Sequence, residues 1–464
     1  MPNKLSLVAM AEAVRSRDVS PLELVDAHLK QIEQVNPKLN AFVEVWADEA
    51  RAAARQAETE EPRGPLYGVP LTVKDSFDVA GKPTLCGSKF RSGHRAAADS
   101  SPVARLRAAG AIFLGKTNTP EFLYNYETDN FITGRTNSAW DLERTPGGSS
   151  GGEAAAISSF CSPGGMGSDA GGSIREPAHF SGIAGLKPTP GRVACAGHFP
   201  SITHPGGLLG VGGPLARTVG DVKLLFETTA HYDPQDPFSA PVPLREGHVE
   251  GITIGFWEQF YNVPVQGPIR DAVRKAAGLL GDAGFAVAPF RPRGLERAPN
   301  VWAFFFSVLP ARSIYAMIRG REQDAHWTGT EFMRQALERP EPTGQEVVEN
   351  FAARDAMRAA LLRQMDQYPV MLWPACGITA FRHRERRWPT ATKEIGLFEA
   401  MMPLTPANLL GLPALMVPMG LSPEGLAVGV QLVGRPYEEE RLLEVGIRLE
   451  EARGPFPAPP LAHV

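Results

Sequence analysis

Short apolar runs separated by helix-like segments recur along most of this 464-residue chain. Each run is short enough to be a buried strand, and each is bounded by polar or turn-forming residues. The runs lie at residues 70–73, 111–115, 252–256, 285–290, 368–375, 412–420 and 426–434. Apolar residues at helical spacing predict helices at 101–110, at 269–284 and after Pro436. This strand–helix–strand order predicts an α/β core.

The clearest helix start lies near the N-terminus. Ser20 precedes Pro21, and Glu23 follows Ser20 by three residues. This is the pattern of a capping box with proline at the first helical position. Apolar residues follow at helical spacing from Leu24 to Ile32, so we predict a helix with one buried face here.

Residues 144–220 interrupt the alternating pattern because they are dense in glycine, serine and proline. Within them, PGGSSGG (146–152) has the composition of a flexible linker, and EAAAISS (153–159) has that of a helix. A structureless loop of some 70 residues is improbable inside a compact domain, because loops without secondary structure rarely exceed about 15 residues there. We therefore expect this stretch to be ordered around a site.

Composition and charge place the chain among globular proteins. The apolar fraction is 43%, the charged fraction is 21%, and the formal net charge is −4. A weakly acidic chain is not expected to bind nucleic acid or an anionic membrane, because both favour basic surfaces. The length alone suggests two or three domains, although some enzymes of this size fold as one unit.

Cysteine usage and the N-terminal sequence indicate a cytoplasmic protein without a structural metal site. The cysteines form no CxxC pair, no histidines stand at zinc spacing, and isolated cysteines are typical of buried thiols in a reducing compartment. They are Cys86, Cys161, Cys195 and Cys376. The N-terminus lacks the apolar centre of a signal peptide, and the longest apolar run, 301–311, is too short to span a bilayer.

Three short motifs suggest chemistry, and each lacks part of the context that its mechanism needs. GAIFLGKT (110–117) matches a phosphate-binding loop, but its middle residues have the character of a strand and Pro120 blocks the following helix. GMGSDA (165–170) matches a loose dinucleotide pattern without the acidic residue expected about 20 positions on. GGSSG (147–151) fits a hydrolase elbow with Ser149 as nucleophile, although a polar segment replaces the preceding strand.

The elbow remains open as an alternative. A Ser/His/Asp esterase would need a histidine and an acid as partners of Ser149, and the chain offers candidate histidines. These are His179, His198 and His204.

Another set of features stands in order along residues 66–220: Lys74, the pair Ser149–Ser150, and Ser173. They lie in YGVPLTVKDSFDV, TNSAWDLERTPGGSSGGEAAA and GSDAGGSIREPAHFSGIAGLKPTPGRV, and GKTNTPEF and GPLARTVGDV belong to the same region. On these motifs residues 66–220 resemble the signature core of the amidase signature family, and PANLLGLPALMVPMGL (406–421) resembles the family's C-terminal part. The match is weak over residues 230–400.

The resemblance implies a fold and a domain organisation. The fold would be α/β, with a central mixed twisted β-sheet covered by helices on both faces. Residues 1–464 would form a single domain, with the signature core at 66–220 and a variable substrate-specificity region at 230–400.

The resemblance also implies a Ser–cis-Ser–Lys triad. Ser173 falls on the family's nucleophile, and Ser149 falls on the bridging serine that follows a cis peptide bond. Lys74 falls on the catalytic base. A serine hydroxyl needs an adjacent base, and lysine can serve only when burial or nearby positive charge lowers its pKa of about 10.4. A hydroxyl both donates and accepts, so Ser149 can pass a proton between the other two.

Further residues have supporting roles by the same resemblance. The backbone N–H groups of the loop that ends at the nucleophile would form the oxyanion hole, and glycines would let a substrate carbonyl approach. The loop residues are Ala170, Gly171, Gly172 and Ser173; the supporting side chains are Ser150, Asp169 and Arg175, of which the last two form a site-shaping pair. Ser168 stands where the family often has threonine, and Ser181 where cysteine is common. No metal or other cofactor is expected.

The function that these residues predict is hydrolysis of C–N amide bonds through an acyl-enzyme intermediate. The partners would be water and a small amide, anilide or carbamate substrate, with no nucleic acid or membrane, acting as a monomer or homodimer. The aromatic run VWAFFFSVLPARSIYAMI (301–318) is interpreted as a core helix or as the lining of an apolar substrate pocket. The alternatives are an A-subunit-like component of a glutamine-dependent tRNA amidotransferase and the elbow esterase. YNYETDN (124–130) departs from the amidotransferase pattern.

Overall fold

A mixed β-sheet runs through the molecule and sets where the site residues lie. The structure, a computed structural model, describes residues 1–202 and 206–463. The strands are β1 (Phe42–Val45), β2 (Pro70–Lys74), β3 (Ile112–Thr117), β4 (Gly164–Asp169), β5 (Ala184–Lys187), β6 (Val211–Ala216), β7 (Thr253–Phe256), β8 (Ala286–Pro289), β9 (Val370–Pro374), β10 (Arg387–Pro389), β11 (Glu394–Gly396), β12 (Ala414–Leu421) and β13 (Ala427–Gly434).

Eleven of the strands in the described residues pair in the order β1-β3-β2-β4-β6-β5-β12-β13-β9-β7-β8. The strand β2 pairs in parallel with β3 and β4, and β7 pairs in parallel with β8 and β9. The remaining pairs are antiparallel, and β10 and β11 form a separate hairpin. The predicted mixed sheet is therefore confirmed.

Helices cover both faces of this sheet. They are α1 (Leu7–Arg15), α2 (Pro21–Leu39), α3 (Ala47–Thr59), α4 (Ser101–Ala108), α5 (Gly151–Ser158), α6 (Arg175–Ser181), α7 (Val219–Thr229), α8 (Gly267–Asp282), α9 (Ala298–Ala303), α10 (Ala311–Ile318), α11 (Trp327–Leu337), α12 (Gly344–Gln364), α13 (Leu397–Met401), α14 (Thr405–Leu409) and α15 (Glu439–Arg453). Two neighbouring residues of β12 pack against helices on opposite faces of the sheet, because successive side chains of a strand point in opposite directions. Leu415 packs in the core cluster that contains Leu442 of α15, and Met416 packs in the cluster that contains Ala178 of α6.

Several local predictions are confirmed. Ser20 and Glu23 form the capping box at the start of α2, with Pro21 at the first helical position. The segment 153–159 lies mostly in α5. The Gly/Ser/Pro-rich stretch 144–220 is ordered over its described residues, 144–202 and 206–220, which contain α5, α6 and three strands of the sheet. All four cysteines are buried thiols.

The apolar run 301–311 belongs to a longer helix than the sequence indicates. Helices α9 and α10 and a π-helical turn at Phe304–Val308 form one 21-residue helix, Ala298–Ile318. By length and composition alone, this helix is the one among the described residues that could cross a membrane. The core helix of a soluble protein can have the same length and composition. Its apolar side chains Val301, Trp302 and Phe305 pack in a buried cluster.

Candidate active site

Lys74 and the serine pair meet because β2 ends directly beside the start of α5. Lys74 is the last residue of β2, and Ser149 and Ser150 immediately precede α5. The Lys74 Nζ lies 2.7 Å from Ser149 Oγ and 2.9 Å from Ser150 Oγ, and it donates to both. The same nitrogen contacts Ser168 of β4, at 3.0 Å from the side-chain Oγ. The Lys74 amine is thus surrounded by neutral oxygen atoms.

The Lys74 side chain is fully buried. Burial lowers the pKa of Lys74 to about 7, although electrostatic interactions with Cys86, Asp169 and Glu153 act to raise it. An amine with this pKa is neutral in a substantial fraction of molecules near neutral pH, so it can accept a proton.

The glycine-rich loop before α5 presents Ser149 to Lys74. The peptide bond between Gly148 and Ser149 is cis. The Gly148 N–H donates to Glu176 Oε2 at 2.9 Å, and a Cβ on Gly148 would lie 2.7 Å from the Asn125 carbonyl oxygen. The glycine composition that suggests a linker therefore reflects close packing against neighbouring backbone.

Ser173 shares a cavity with Ser149. The cavity has a volume of about 260 Å³, and both serines line it together with Ala170. The Ser173 carbonyl oxygen accepts from the Ser150 N–H at 3.2 Å, which ties the two serine-bearing loops together. Among the described residues, the Ser173 hydroxyl has no hydrogen-bond partner, so it is available to a bound molecule.

The loop 170–173 is organised by Asp169. Its Oδ1 accepts from the Gly172 N–H at 2.8 Å, and its Oδ2 accepts from the Ile174 N–H at 3.1 Å. The Gly172 N–H is therefore engaged, whereas the other predicted oxyanion donors have no acceptor among the described residues. Those donors are the N–H groups of Ala170, Gly171 and Ser173.

Arg175 holds Asp169 in its charged form. The two side chains are fully buried and form an ion pair with Arg175 Nε 3.0 Å from Asp169 Oδ2. Burial opposes the charge of Asp169, but the Arg175 guanidinium outweighs burial and holds the pKa of this carboxyl well below its ordinary value. The remaining guanidinium donors reach Asn408 Oδ1 at 2.6 Å and Gln431 Oε1 at 2.9 Å.

We expect Arg175→Met to lower the free energy of unfolding by about 3 kcal/mol or more, because it leaves the buried Asp169 carboxylate unpaired. Chemical denaturation followed by fluorescence measures this loss. The matched control is Arg107→Met, whose partner Asp99 is paired with a half-exposed guanidinium, and we expect a loss below about 1 kcal/mol there. Equal losses in both variants would contradict the structural role of the Asp169–Arg175 pair.

The rest of the cavity is mostly apolar, and the long helix Ala298–Ile318 supplies much of that lining. Phe305, Phe306, Pro310, Ile314 and Met317 face the cavity. The run 301–318 is thus both core helix and cavity wall.

Pro310 leaves a carbonyl of this helix free for a contact with the signature core. Pro310 has no N–H to donate to the Phe306 carbonyl four residues earlier. That carbonyl oxygen accepts from the Tyr124 hydroxyl at 3.0 Å instead. The Tyr124 and Phe306 rings are stacked with centroids 4.9 Å apart. The helix is therefore fixed against the segment 124–130.

A larger open cavity of about 580 Å³ lies against the same helix, and Trp302, Phe304 and Phe306 take part in its lining. None of the predicted catalytic or supporting residues lines it. We therefore place the candidate chemistry in the smaller cavity.

The residues of the rejected motifs have structural partners. Lys116 lies within β3, and its Nζ pairs with Asp75 Oδ1 at 3.2 Å, so the supposed phosphate loop is a strand. The motif at 165–170 lies largely in β4. Among the described residues, no group of three or more His, Cys, Asp or Glu side chains is arranged to hold a metal ion.

The geometry does not supply a hydrolase elbow at Ser149. No strand directly precedes Ser149, since the preceding strand, β3, ends at Thr117. Both ring nitrogens of His179 are engaged with backbone groups, of Ile378 and Gly429. His198 lines the cavity, but its Nδ1 lies 2.7 Å from the Pro200 carbonyl oxygen and its buried Nε2 has no hydrogen-bond partner among the described residues, so neither nitrogen contacts Ser149. His204 lies outside the described residues.

Sequence reasoning missed two groups next to Lys74. In the sequence Ser168 is only a departure from the family's threonine, yet its hydroxyl contacts the lysine. Glu153 of α5 is fully buried and accepts hydrogen bonds from Thr72 of β2 and Thr117 of β3. Burial raises the pKa of Glu153 to about 7. Only the pairing of β2 with β4 and the position of α5 over the sheet bring these groups together.

The fold and this site define the class: an α/β enzyme with a mixed sheet and a buried lysine beside a serine-lined cavity. A family model described as Amidase matches residues 23–443. The chain belongs to the amidase family, and it is a hydrolase of carbon–nitrogen bonds in amides.

Similar proteins carry several names. The chain is 33% identical over 476 residues to the A subunit of the glutamyl-tRNA(Gln) amidotransferase of Roseiflexus castenholzii, covering 96% of this chain and 94% of that protein. It is 32% identical over 465 residues to the indoleacetamide hydrolase of Bradyrhizobium diazoefficiens, covering 97% and 86%.

Solved structures confirm the amidase-signature fold. A bacterial aryl acylamidase of the amidase signature family superposes with a TM-score of 0.87 at 28% identity, over 97% of this chain and 96% of that one. The 6-aminohexanoate cyclic dimer hydrolase in complex with its substrate gives a TM-score of 0.87 at 29% identity, over the full length of both chains.

Proposed function

We propose that this enzyme hydrolyses amides that carry an aryl or apolar group, with Ser173 as nucleophile, Ser149 as proton bridge and Lys74 as base. The observation that supports the proposal most strongly is the buried Lys74 amine within hydrogen-bond distance of Ser149, at the edge of a cavity that Ser149 shares with Ser173. The apolar character of the remaining lining supports the substrate class.

The proposed reaction begins with attack of Ser173 Oγ on the substrate carbonyl carbon. The hydroxyl proton passes to Ser149 Oγ while the Ser149 proton passes to the neutral Lys74 amine. Negative charge that develops on the substrate oxygen is stabilised by N–H groups of Gly171 and Ser173. The protonated Lys74 then returns a proton through Ser149 to the leaving nitrogen, and the C–N bond breaks.

The resulting ester between Ser173 and the acyl group is hydrolysed by water. Lys74, again neutral, accepts a proton from the attacking water through Ser149, and the Ser173 oxygen leaves with a proton returned along the same path. The products are the carboxylic acid and the amine, and the enzyme returns to its starting protonation state.

This mechanism predicts a rise of kcat/KM with pH through an apparent pKa near 7. Burial lowers the pKa of Lys74 to about 7, so the amine is protonated and inactive below that pH and neutral above it. Initial rates at low substrate concentration between pH 5.5 and about 9 measure the profile. A flat profile across this range would contradict Lys74 as the base.

Glu153 provides the control because burial raises the pKa of its carboxyl to about 7 as well. Its charge raises the pKa of Lys74, so Glu153→Gln is expected to move the rise to lower pH without abolishing it. Loss of the pH-dependent rise in this variant would assign it to Glu153 instead of Lys74.

The apolar cavity predicts that anilides and other aryl amides are better substrates than small polar amides. Activity of the purified chain on a panel of anilides, primary amides, esters and aryl carbamates tests the proposal and ranks the bond types. Turnover of small polar amides alone, with none of the aryl amides, would contradict the proposed substrate class.

Met317→Asp tests the cavity directly, because Met317 lines it and is 45% exposed, so the fold tolerates a charge there. We expect KM for an anilide to rise by about 10-fold, as loss of an apolar contact worth about 1.5 kcal/mol implies. The kcat/KM for a small polar amide is expected to change much less. Leu421→Asp, at a residue 43% exposed outside the cavity, is the control and should alter neither substrate.

A role as the A subunit of an amidotransferase is the second candidate, and the relatives with that name at 33–35% identity favour it. It predicts that glutamine is hydrolysed and that activity depends on partner proteins. Efficient anilide hydrolysis by the purified chain alone, with no turnover of glutamine, would favour the amidase.

Other parts of the proposal concern the state of the enzyme. We propose a single domain over residues 1–464, supported by the sheet that joins strands from β1 to β13. The small net charge of −4 supports an enzyme that acts without nucleic acid or an anionic membrane. We also propose that it is cytoplasmic and acts as a monomer or homodimer. Residues 230–400 would determine substrate choice, as the cavity lining from the helix Ala298–Ile318 supports.

A further inference from the structure

Two aromatic side chains from outside the loop 170–173 hold its carbonyl groups. The Trp302 Nε1–H donates to the Ala170 carbonyl oxygen at 2.8 Å, and the Tyr126 hydroxyl donates to the Gly171 carbonyl oxygen at 2.8 Å. Trp302 and Tyr126 are only 4% and 5% exposed, so water does not compete effectively for these contacts. Neither residue belongs to the motifs that carry the triad.

These contacts set the direction of the N–H groups that follow each carbonyl. In a trans peptide unit, the C=O and N–H bonds lie in one plane and point in opposite directions. The Gly171–Gly172 unit shows this arrangement: its carbonyl faces Tyr126, and its N–H meets Asp169 Oδ1 at 2.8 Å. The Ala170–Gly171 unit is also trans, since the cis bonds lie elsewhere in the described chain.

With the Ala170 carbonyl held by Trp302, the Gly171 N–H points away from the indole ring. Among the described residues this N–H has no acceptor. Ala170 lines the cavity with Ser149 and Ser173, so the free donor belongs to the part of the loop beside the proposed nucleophile.

The indole ring also packs directly on the loop. A Cβ at Gly171 would lie 2.4 Å from Trp302 Cζ2 and 3.1 Å from the Tyr126 hydroxyl oxygen, so only glycine allows this close approach. Trp302 is itself held by a stacked contact with Phe306, with ring centroids 4.5 Å apart and an interplanar angle of 16°. The Trp302 side chain is thus fixed from both sides.

We propose that Trp302 and Tyr126 are positioning residues for the oxyanion hole, and that Trp302 fixes the Gly171 N–H in the direction of the developing oxyanion. This inference rests on the proposed function, because it takes Ser173 as the nucleophile. It connects the loop to the helix Ala298–Ile318, which also supplies the apolar cavity wall through Phe306. Substrate contacts and oxyanion geometry therefore depend on the same helix.

Trp302→Phe tests the proposal because phenylalanine keeps an aromatic ring beside Phe306 and Gly171 but removes the N–H donor. We expect kcat for an anilide to fall by about 10-fold to 100-fold, somewhat less than loss of a whole oxyanion donor, with KM changed less than about 3-fold. Affinity for a trifluoromethyl ketone, which forms a tetrahedral oxyanion with the nucleophile, is expected to fall by the same factor. Affinity for a non-reacting competitive ligand should be unchanged.

Trp140→Phe is the matched control, since the buried Trp140 Nε1–H donates to the Ser181 carbonyl oxygen at 2.9 Å outside the cavity. It removes the same type of hydrogen bond, so both variants should show similar losses in thermal unfolding temperature. Only Trp302→Phe should lose kcat and ketone affinity. Equal kinetics in the two variants would overturn the proposal.

Tyr126→Phe is a second variant that does not alter the indole. We expect it to lower kcat and ketone affinity together, whereas Tyr67→Phe, which removes a hydrogen bond to the Ala57 carbonyl oxygen, should lower neither. If Tyr126→Phe also leaves both values at the wild-type level, the positioning role is wrong even when Trp302→Phe fails to fold. Failure of the proposed function can be told apart from failure of this positioning role, because Ser173→Ala would retain turnover only if the proposed function were wrong.

Discussion

Replacing Ser173 with alanine is expected to lower amide hydrolysis by about 10⁴-fold or more, because the change removes the proposed nucleophile. Its hydroxyl is free of protein partners among the described residues and lines the same cavity as Ser149. The measurement is kcat/KM for the best aryl amide of the substrate panel. Thermal unfolding of the same preparation should remain close to wild type, since no protein hydrogen bond is lost.

Ser158→Ala is the control for this variant. Ser158 is buried, its hydroxyl donates to the Ala155 carbonyl oxygen within α5, and it does not line the cavity that Ser149 and Ser173 share. Its activity should stay near wild type. If Ser173→Ala retained turnover while Ser149→Ala lost it, the nucleophile would be Ser149 and the elbow alternative would replace the triad.

The second large effect is expected for Lys74→Met, which keeps a long side chain in the buried site but removes the base. We expect kcat/KM to fall by about 10³-fold at pH 8, in line with loss of a general base. The pH-dependent rise near 7 should disappear from the residual activity. Steady-state kinetics across the same pH range measures both results.

Lys187→Met is the matched control because burial lowers the pKa of Lys187 to about 7, as it does for Lys74. The Lys187 Nζ donates to the Pro188 carbonyl oxygen instead of the serines. This variant should retain most of the activity and the pH profile. If His198→Ala were inactive and Lys74→Met remained active, a histidine base would be indicated instead.

Much of the sheet could be predicted from the sequence because apolar runs mark its strands. The segments 70–73, 111–115, 252–256, 285–290 and 426–434 all correspond to observed strands. The strand β4 could not be predicted from hydrophobicity, since half of Gly164–Asp169 is glycine. A Cβ at Gly165 would lie 2.1 Å from Glu153 Oε1, so the strand lacks side chains where α5 lies against it.

The candidate site likewise contains some residues that the sequence indicates and others that only the fold brings together. Lys74, Ser149 and Ser173 could be identified because they lie in long, ordered motifs, and the structure places Lys74 beside Ser149 and the two serines in one cavity. Ser168 contacts Lys74 across 94 positions of sequence, and Trp302 contacts Ala170 across 132. No local pattern indicates such pairs, because the sheet order and the packing of a distant helix bring them together.

The proposed catalytic assignment is tested most directly by covalent labelling with a fluorophosphonate, followed by mass spectrometry. Trypsin releases residues 145–175 as one peptide that contains both Ser149 and Ser173, so fragmentation of this peptide locates the adduct. We expect a single adduct on Ser173, absent in Ser173→Ala and formed much more slowly in Lys74→Met. An adduct on Ser149, or labelling that does not depend on Lys74, would contradict it.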